Sequence, residues 1–337
     1  MPDEPLGSGS SEASPAPRSE STARSAFSDL DPLASDGLRP DIETDLSYLL
    51  RYDLYHSLSQ IDIPPALRSE FITLKPGESL ASSLDTLEKL LVEGHFLLAA
   101  YLSGAILTSS LLSPTDVKLI FALFYNRLAC LELSGNAILA AQESKALEDL
   151  SSTFYYAPSD LEGTDPGTGD GKGGSPASYP RHIVPWPLRV LAVRLQSIGF
   201  GDSRRGISGL YELGMEARRE ITRLDIGQDE RNGWRERLAD LGIRSVNALI
   251  EMGDFDTAKR SLSNLRTSAA DESHKTRKAL LSLVIGDIDA ARQILGGSSE
   301  SGIFPALLSM AEGRYGDAAG EWRAILERGG NKADDAW

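Results

Sequence analysis

One phrase recurs along this chain and restricts what it can fold into: a glycine, four residues, then an alanine. It stands at Gly94–Ala99, Gly135–Ala140, Gly253–Ala258, Gly286–Ala291 and Gly313–Ala318, with Gly201–Gly206 as a looser sixth copy. Each copy follows one apolar stretch of three-to-four-residue spacing and opens another, the pattern of two helices joined by a short turn. Glycine at such a joint takes the left-handed conformation that ends the first helix, where a Cβ is strained. Asp254 and Asp287, next in line, are placed to cap the second helix and suit its positive end. Phe255, Ile288 and Tyr315, two residues after the glycine, are expected to fold back into the seam. The alanine is small, so that two helices can approach closely. Leu262, Leu295 and Trp322 follow four residues later, one turn along the same face.

Gly253 and Gly286 stand 33 residues apart, Gly286 and Gly313 27, and Gly94 and Gly135 41. The phrase and its first spacing resemble the tetratricopeptide repeat, whose period is ~34 residues. The resemblance implies an all-α chain: a tetratricopeptide-repeat-like α-solenoid of antiparallel helix pairs, behind a disordered N-terminal tail. No run of alternating β-branched residues argues for a sheet.

The chain divides by composition. Residues 1–40 are acidic and rich in Ser and Pro, with too little apolar surface to offset chain entropy, and are expected to be disordered. Residues 41–157 read as helical, with Leu46, Leu49, Leu50, Leu54 and Leu58 and then Leu80, Leu84, Leu87, Leu90 and Leu91 at helical spacing. Ser113-Pro114-Thr115-Asp116 reads as a helix start. Residues 158–180 form a flexible Gly-rich insert, residues 181–328 return to helical periodicity with the repeat phrases, and 329–337 are a polar end.

Charge and cysteine content exclude several classes. A formal net charge of −15 sets the chain against nucleic acid or anionic lipid as a main partner. The single cysteine, Cys130, rules out an intramolecular disulfide and lies in an apolar helical stretch, where a small buried hydrophobe is expected. The first residues have no basic and apolar signal-peptide regions. The most apolar run, Phe96–Leu112, is shorter than the ~20 residues of a membrane span and is read as a buried helix.

A search for reaction chemistry finds little. Gly171-Lys172 lacks the earlier glycine of a phosphate loop, because Pro166 is there, and Gly173 replaces its hydroxyl residue. His56, His95, His182 and His274 are scattered without metal-ligand spacing. Gly206-Ile207-Ser208-Gly209-Leu210 misses the nucleophile elbow by its last residue. Acidic pairs such as Asp229-Glu230 sit in polar joints. No catalytic residue, cofactor or metal is expected.

One segment is more individual. Tyr155-Tyr156 leads, across the insert, to Tyr179-Pro180, then to Val184-Pro185-Trp186, Arg189 and Leu191, a Gly-containing turn and the repeats. This resembles the subunit 12 family of the TRAPP vesicle-tethering complex, over roughly residues 80–326; the Gly-rich insert departs from it. The resemblance implies a non-catalytic scaffold subunit of a TRAPP III-type complex. Its partners would be the other TRAPP subunits, and its work would support Rab activation in endoplasmic-reticulum-to-Golgi transport and autophagy. Contact with Golgi membranes would come only through the complex, from the cytoplasm. Pro185-Trp186-Pro187 reads as a rigid helix entry with Trp186 packed beneath. Arg189 and Arg194, on a helix with one apolar face, are the candidate contacts to an acidic partner. A generic repeat adaptor for a chaperone or another assembly is the alternative; a nucleotide-binding enzyme or hydrolase is a more distant one.

Overall fold

The six glycines of the recurring phrase all sit at positive φ, from 61° at Gly201 to 86° at Gly286. The structure is a computed structural model that describes residues 30, 31, 33, 44–58, 79–156, 182–224, 226–265, 272–295 and 303–333. The Gly-rich insert, most of the acidic tail, residues 334–337 and the Leu295 side chain lie outside the described residues.

Among the described residues there are twelve α-helices and no strand, with one isolated antiparallel bridge between Tyr156 and His182. The helices are α1 (Leu80–Val92), α2 (Phe96–Leu107), α3 (Val117–Leu133), α4 (Ala137–Ser144), α5 (Trp186–Phe200) and α6 (Ser203–Thr222). They continue as α7 (Gln228–Glu251), α8 (Phe255–Asn264), α9 (Glu272–Ile285), α10 (Ile288–Leu295), α11 (Phe304–Ala311) and α12 (Tyr315–Ala333). Each glycine of the phrase joins an odd-numbered helix to the next, and the second helix starts two residues after it.

The six turns share one hydrogen-bond scheme. The amide of the residue after the glycine reaches back five residues, as in Asp254 N–H to Leu249 O at 3.0 Å, and the glycine amide reaches back three, as in Gly253 N–H to Ile250 O at 2.9 Å. The same pair of bonds closes the turns at Gly94, Gly135, Gly201, Gly286 and Gly313. This is the Schellman arrangement, which satisfies the last carbonyls of a helix and requires a left-handed residue. Caps then start the next helices: Asp254 accepts from the Thr257 amide at 3.1 Å, and Asp287 from the Ala290 amide at 3.2 Å.

The chain divides into two units, with the boundary after Leu191. In the first, α2 packs on α1 and α3, and α3 on α4. Helix α2 is buried nearly all round, from Leu98 through Leu107, which accounts for its uniformly apolar sequence. Leu84, Leu87, Leu102, Ile106, Phe121 and Phe124 are fully buried together with Leu46 and Leu49 from the segment at 44–58. That segment forms two short 3-10 helices, Ser47–Leu50 and Tyr52–Leu54, where the leucine spacing had predicted helix. Asp116 caps α3, as the Ser113–Asp116 stretch predicts, accepting from Leu119 N–H at 3.4 Å.

In the second unit two small clusters follow one another along the chain from α7 to α11. Val246 of α7, with Ala258 and Leu262 of α8, packs against Leu281 and Ile285 of α9. Ala279 of α9, with Ala291 of α10, packs with Phe304 of α11. Helix α9 therefore shares one cluster with the helices before it and another with those after it.

Candidate functional site

The described residues that carry the family resemblance lie in the first unit, on either side of residues 157–181. Ile183 N–H donates to Tyr155 O at 2.8 Å, and with the Tyr156–His182 bridge this brings the chain on the two sides of residues 157–181 together. His182 fixes the local hydrogen bonding. Its Nε2 lies 2.9 Å from Leu150 O, and a carbonyl only accepts, so Nε2 carries a proton. Nδ1 accepts from Val184 N–H at 3.0 Å, which defines the neutral tautomer. The Tyr155 ring stacks on the imidazole at 5.9 Å, and Tyr156 meets it edge-on at 4.9 Å. Tyr155 donates its hydroxyl proton to Leu147 O at 2.8 Å and so accepts from Tyr48, whose hydroxyl is also 2.8 Å away. Burial first, then this hydrogen bond, holds the Tyr48 phenol well above its ordinary range; burial also raises Tyr155. Both phenols are thus fixed in the protonated form, which suits them to positioning.

Beyond this bridge, Val184, Pro185, Trp186 and Leu191 are buried. Arg189 departs from the expectation of a partner contact. It is 7% exposed, with its guanidinium carbon 5.5 Å from the centre of the Trp186 ring. The helix turns that side chain into the protein along with Trp186, three residues earlier on the same face. Arg194, in the second unit, is exposed and bonds Glu251 at 2.8 Å.

The structure adds a site that sequence reading missed. Arg127, 2% exposed, makes four hydrogen bonds: two to the Glu143 carboxylate at 2.7 Å, one to Ala100 O and one to His56 O, both at 2.9 Å. Glu143 also accepts from the His56 amide at 2.8 Å. Tyr55 lies 5.1 Å from the guanidinium carbon. Gly104 makes the space, since a Cβ there would stand 2.5 Å from Arg127 Nη1. A buried charge pair persists where its hydrogen-bonding capacity is filled, and this one ties the segment at 44–58 to α2, α3 and α4. The available signal was Arg127 itself, a cation midway along the apolar run of α3.

The repeat positions divide. Ala99, Ala140, Ala258, Ala291 and Ala318 are all buried, as is Leu262, while Trp322 is half-buried with Nε1 donating to Met310 Sδ at 3.4 Å. Phe255 and Tyr315 do not fold into the seam; they are 48% and 71% exposed, and Ile288 is half-buried. Each is the first residue of its helix, set at the turn, where the preceding helix has already ended.

Cys130 is buried, and burial pushes its thiol up to about 12. Among the described residues no group of histidine, cysteine and carboxylate side chains is arranged to hold a metal ion. No helix among them is long and apolar enough to cross a membrane. Compared with known proteins, the chain matches no family model, no curated protein and no solved structure.

Proposed function

We propose that this chain is a non-catalytic scaffold, an α-solenoid of tetratricopeptide-like antiparallel helix pairs. In this reading it serves as a subunit of a TRAPP III-type vesicle-tethering complex that supports Rab activation in endoplasmic-reticulum-to-Golgi transport and autophagy. The observation that carries the scaffold reading is the repetition of one turn at six places, joined in the second unit to apolar clusters that link the pair α7–α8 to α9 and α9–α10 to α11. Such chains present extended surfaces to other proteins. The exposed Phe255 and Tyr315, at equivalent turn positions, are candidates for that surface. The assembly reading rests on the resemblance at Tyr155, Tyr156, Val184, Pro185, Trp186, Arg189 and Leu191. In it, nucleotide exchange belongs to other subunits, and association with Golgi membranes comes through the complex.

The test is gentle purification of the tagged chain from its own cells, with mass spectrometry of what accompanies it. Recovery of the large TRAPP subunits with the small core supports the assignment. Recovery of chaperones or another assembly in their place retains a scaffold and removes the family.

A further inference from the structure

We propose that the start of α5 is a docking site for a short Leu-Asp-x-Leu segment, and that this chain fills it in cis with Asp31. Asp31 lies 155 residues before Trp186, yet its Oδ2 accepts the Trp186 amide at 2.8 Å. Its Oδ1 accepts the Leu33 amide at 3.1 Å, and the residue is 9% exposed. Leu30 and Leu33, on either side, are half-buried.

The entry to α5 explains why a carboxylate seats here. Pro185 and Pro187 have no amide proton. The Ile183 amide is taken by Tyr155 O, and the Val184 amide by His182 Nδ1. The Trp186 amide is the donor that the local chain leaves to a distant acceptor, and it takes Asp31. The positive end of α5 favours an anion over a neutral acceptor at this point. A charge-assisted bond there is roughly twice as strong as a neutral one.

The segment seats a carboxylate on this helix start from far away in the chain, with a half-buried leucine on either side of it. That is the recognition chemistry of a short peptide ligand. A partner carrying an aspartate between leucines would compete for the same place.

The full-length chain carrying Asp31→Ala tests this, with a fluorescent peptide of the sequence of residues 26–36. The peptide is expected to bind the variant at least tenfold more tightly than wild type, whose site is already filled. A peptide with alanine at the Asp31 position should not bind. Hydrogen exchange over 183–190 should quicken in the variant and slow again when peptide is added. Equal peptide binding to both chains, binding to neither, or unchanged exchange would overturn the proposal. Asp31→Asn, which keeps the shape and drops the charge, covers a failure to fold: if both variants unfold, the contact is part of the core and no docking site exists.

Discussion

At the scale of single residues, the turn glycines act through conformation alone. A Cβ built on Gly286 meets nothing within 4 Å, so its φ of 86° is the whole constraint. Gly286→Ala should cost about 1–2 kcal/mol, the penalty of a left-handed Cβ. Gly320, inside α12 and equally uncrowded, is the control: Gly320→Ala should stabilise by about 0.5–1 kcal/mol, since helical glycine only adds chain entropy. Urea melts of the two variants decide it, and equal signs would remove the explanation. Arg127 answers to the opposite rule, because space and charge both constrain it. Arg127→Ala strands the Glu143 carboxylate in the core and should cost about 3–5 kcal/mol by denaturation. Gly104→Ala should lower stability as well, by forcing the guanidinium off its partners. At Cys130 the buried thiol, raised to about 12, should resist alkylation at neutral pH and react at the rate of unfolding. Rapid labelling of the folded chain would contradict that burial.

At the scale of elements, one link repeats between successive helix pairs. Lys259 of α8 bonds Asp287, beside the next turn glycine, at 2.9 Å; Arg292 of α10 likewise pairs with Glu312, beside Gly313. The Lys259 ammonium first, then the Ala290 amide, holds the Asp287 carboxyl below its ordinary value. A carboxyl lowered by folding adds stability above its unfolded pKa, and that part is lost as pH falls through the folded one. Wild type should therefore lose stability on acidification below the usual carboxylate range of ~4, while Asp287→Asn starts lower near neutrality and falls less. Urea midpoints at both ends of that range check this; parallel acid limbs would show the link contributes nothing. These turns were legible in the sequence because a Schellman turn favours glycine at one position, and at Gly201, Gly253 and Gly286 an Asp cap follows directly. The side-chain direction of Phe255 and Tyr315 was not, since the first residue of a helix leans on whatever lies beyond the turn. Asp31 was also hidden, because its partner is a backbone amide 155 residues away that no spacing can encode. Arg127 and Glu143 are 16 residues apart on different helices, and only packing brings them together.

At the scale of the molecule, the two units bury their apolar residues in different ways, and that predicts how each comes apart. In the first, Phe121 and Phe124 sit fully buried with side chains drawn from α1, α2, α3 and the segment at 44–58. In the second, the Val246 cluster and the Phe304 cluster are distinct among the described residues, and α9 contributes to both. Stability in such an arrangement is close to a sum of local terms and nearest-neighbour terms. Phe304→Ala should cost about 3–5 kcal/mol where it acts, as large-to-small core substitutions do. Hydrogen exchange should quicken in α10, α11 and α12, while amides around Val246, Ala258 and Leu262 keep their protection. Phe121→Ala carries a similar cost but should loosen α1 through α4 together, because α2 and α3 pack on each other and on α1 and α4. If Phe304→Ala deprotected α7 and α8 as fully as α11, the second unit would be a single cooperative body, and the reading of this chain as stacked repeats would lose its energetic basis.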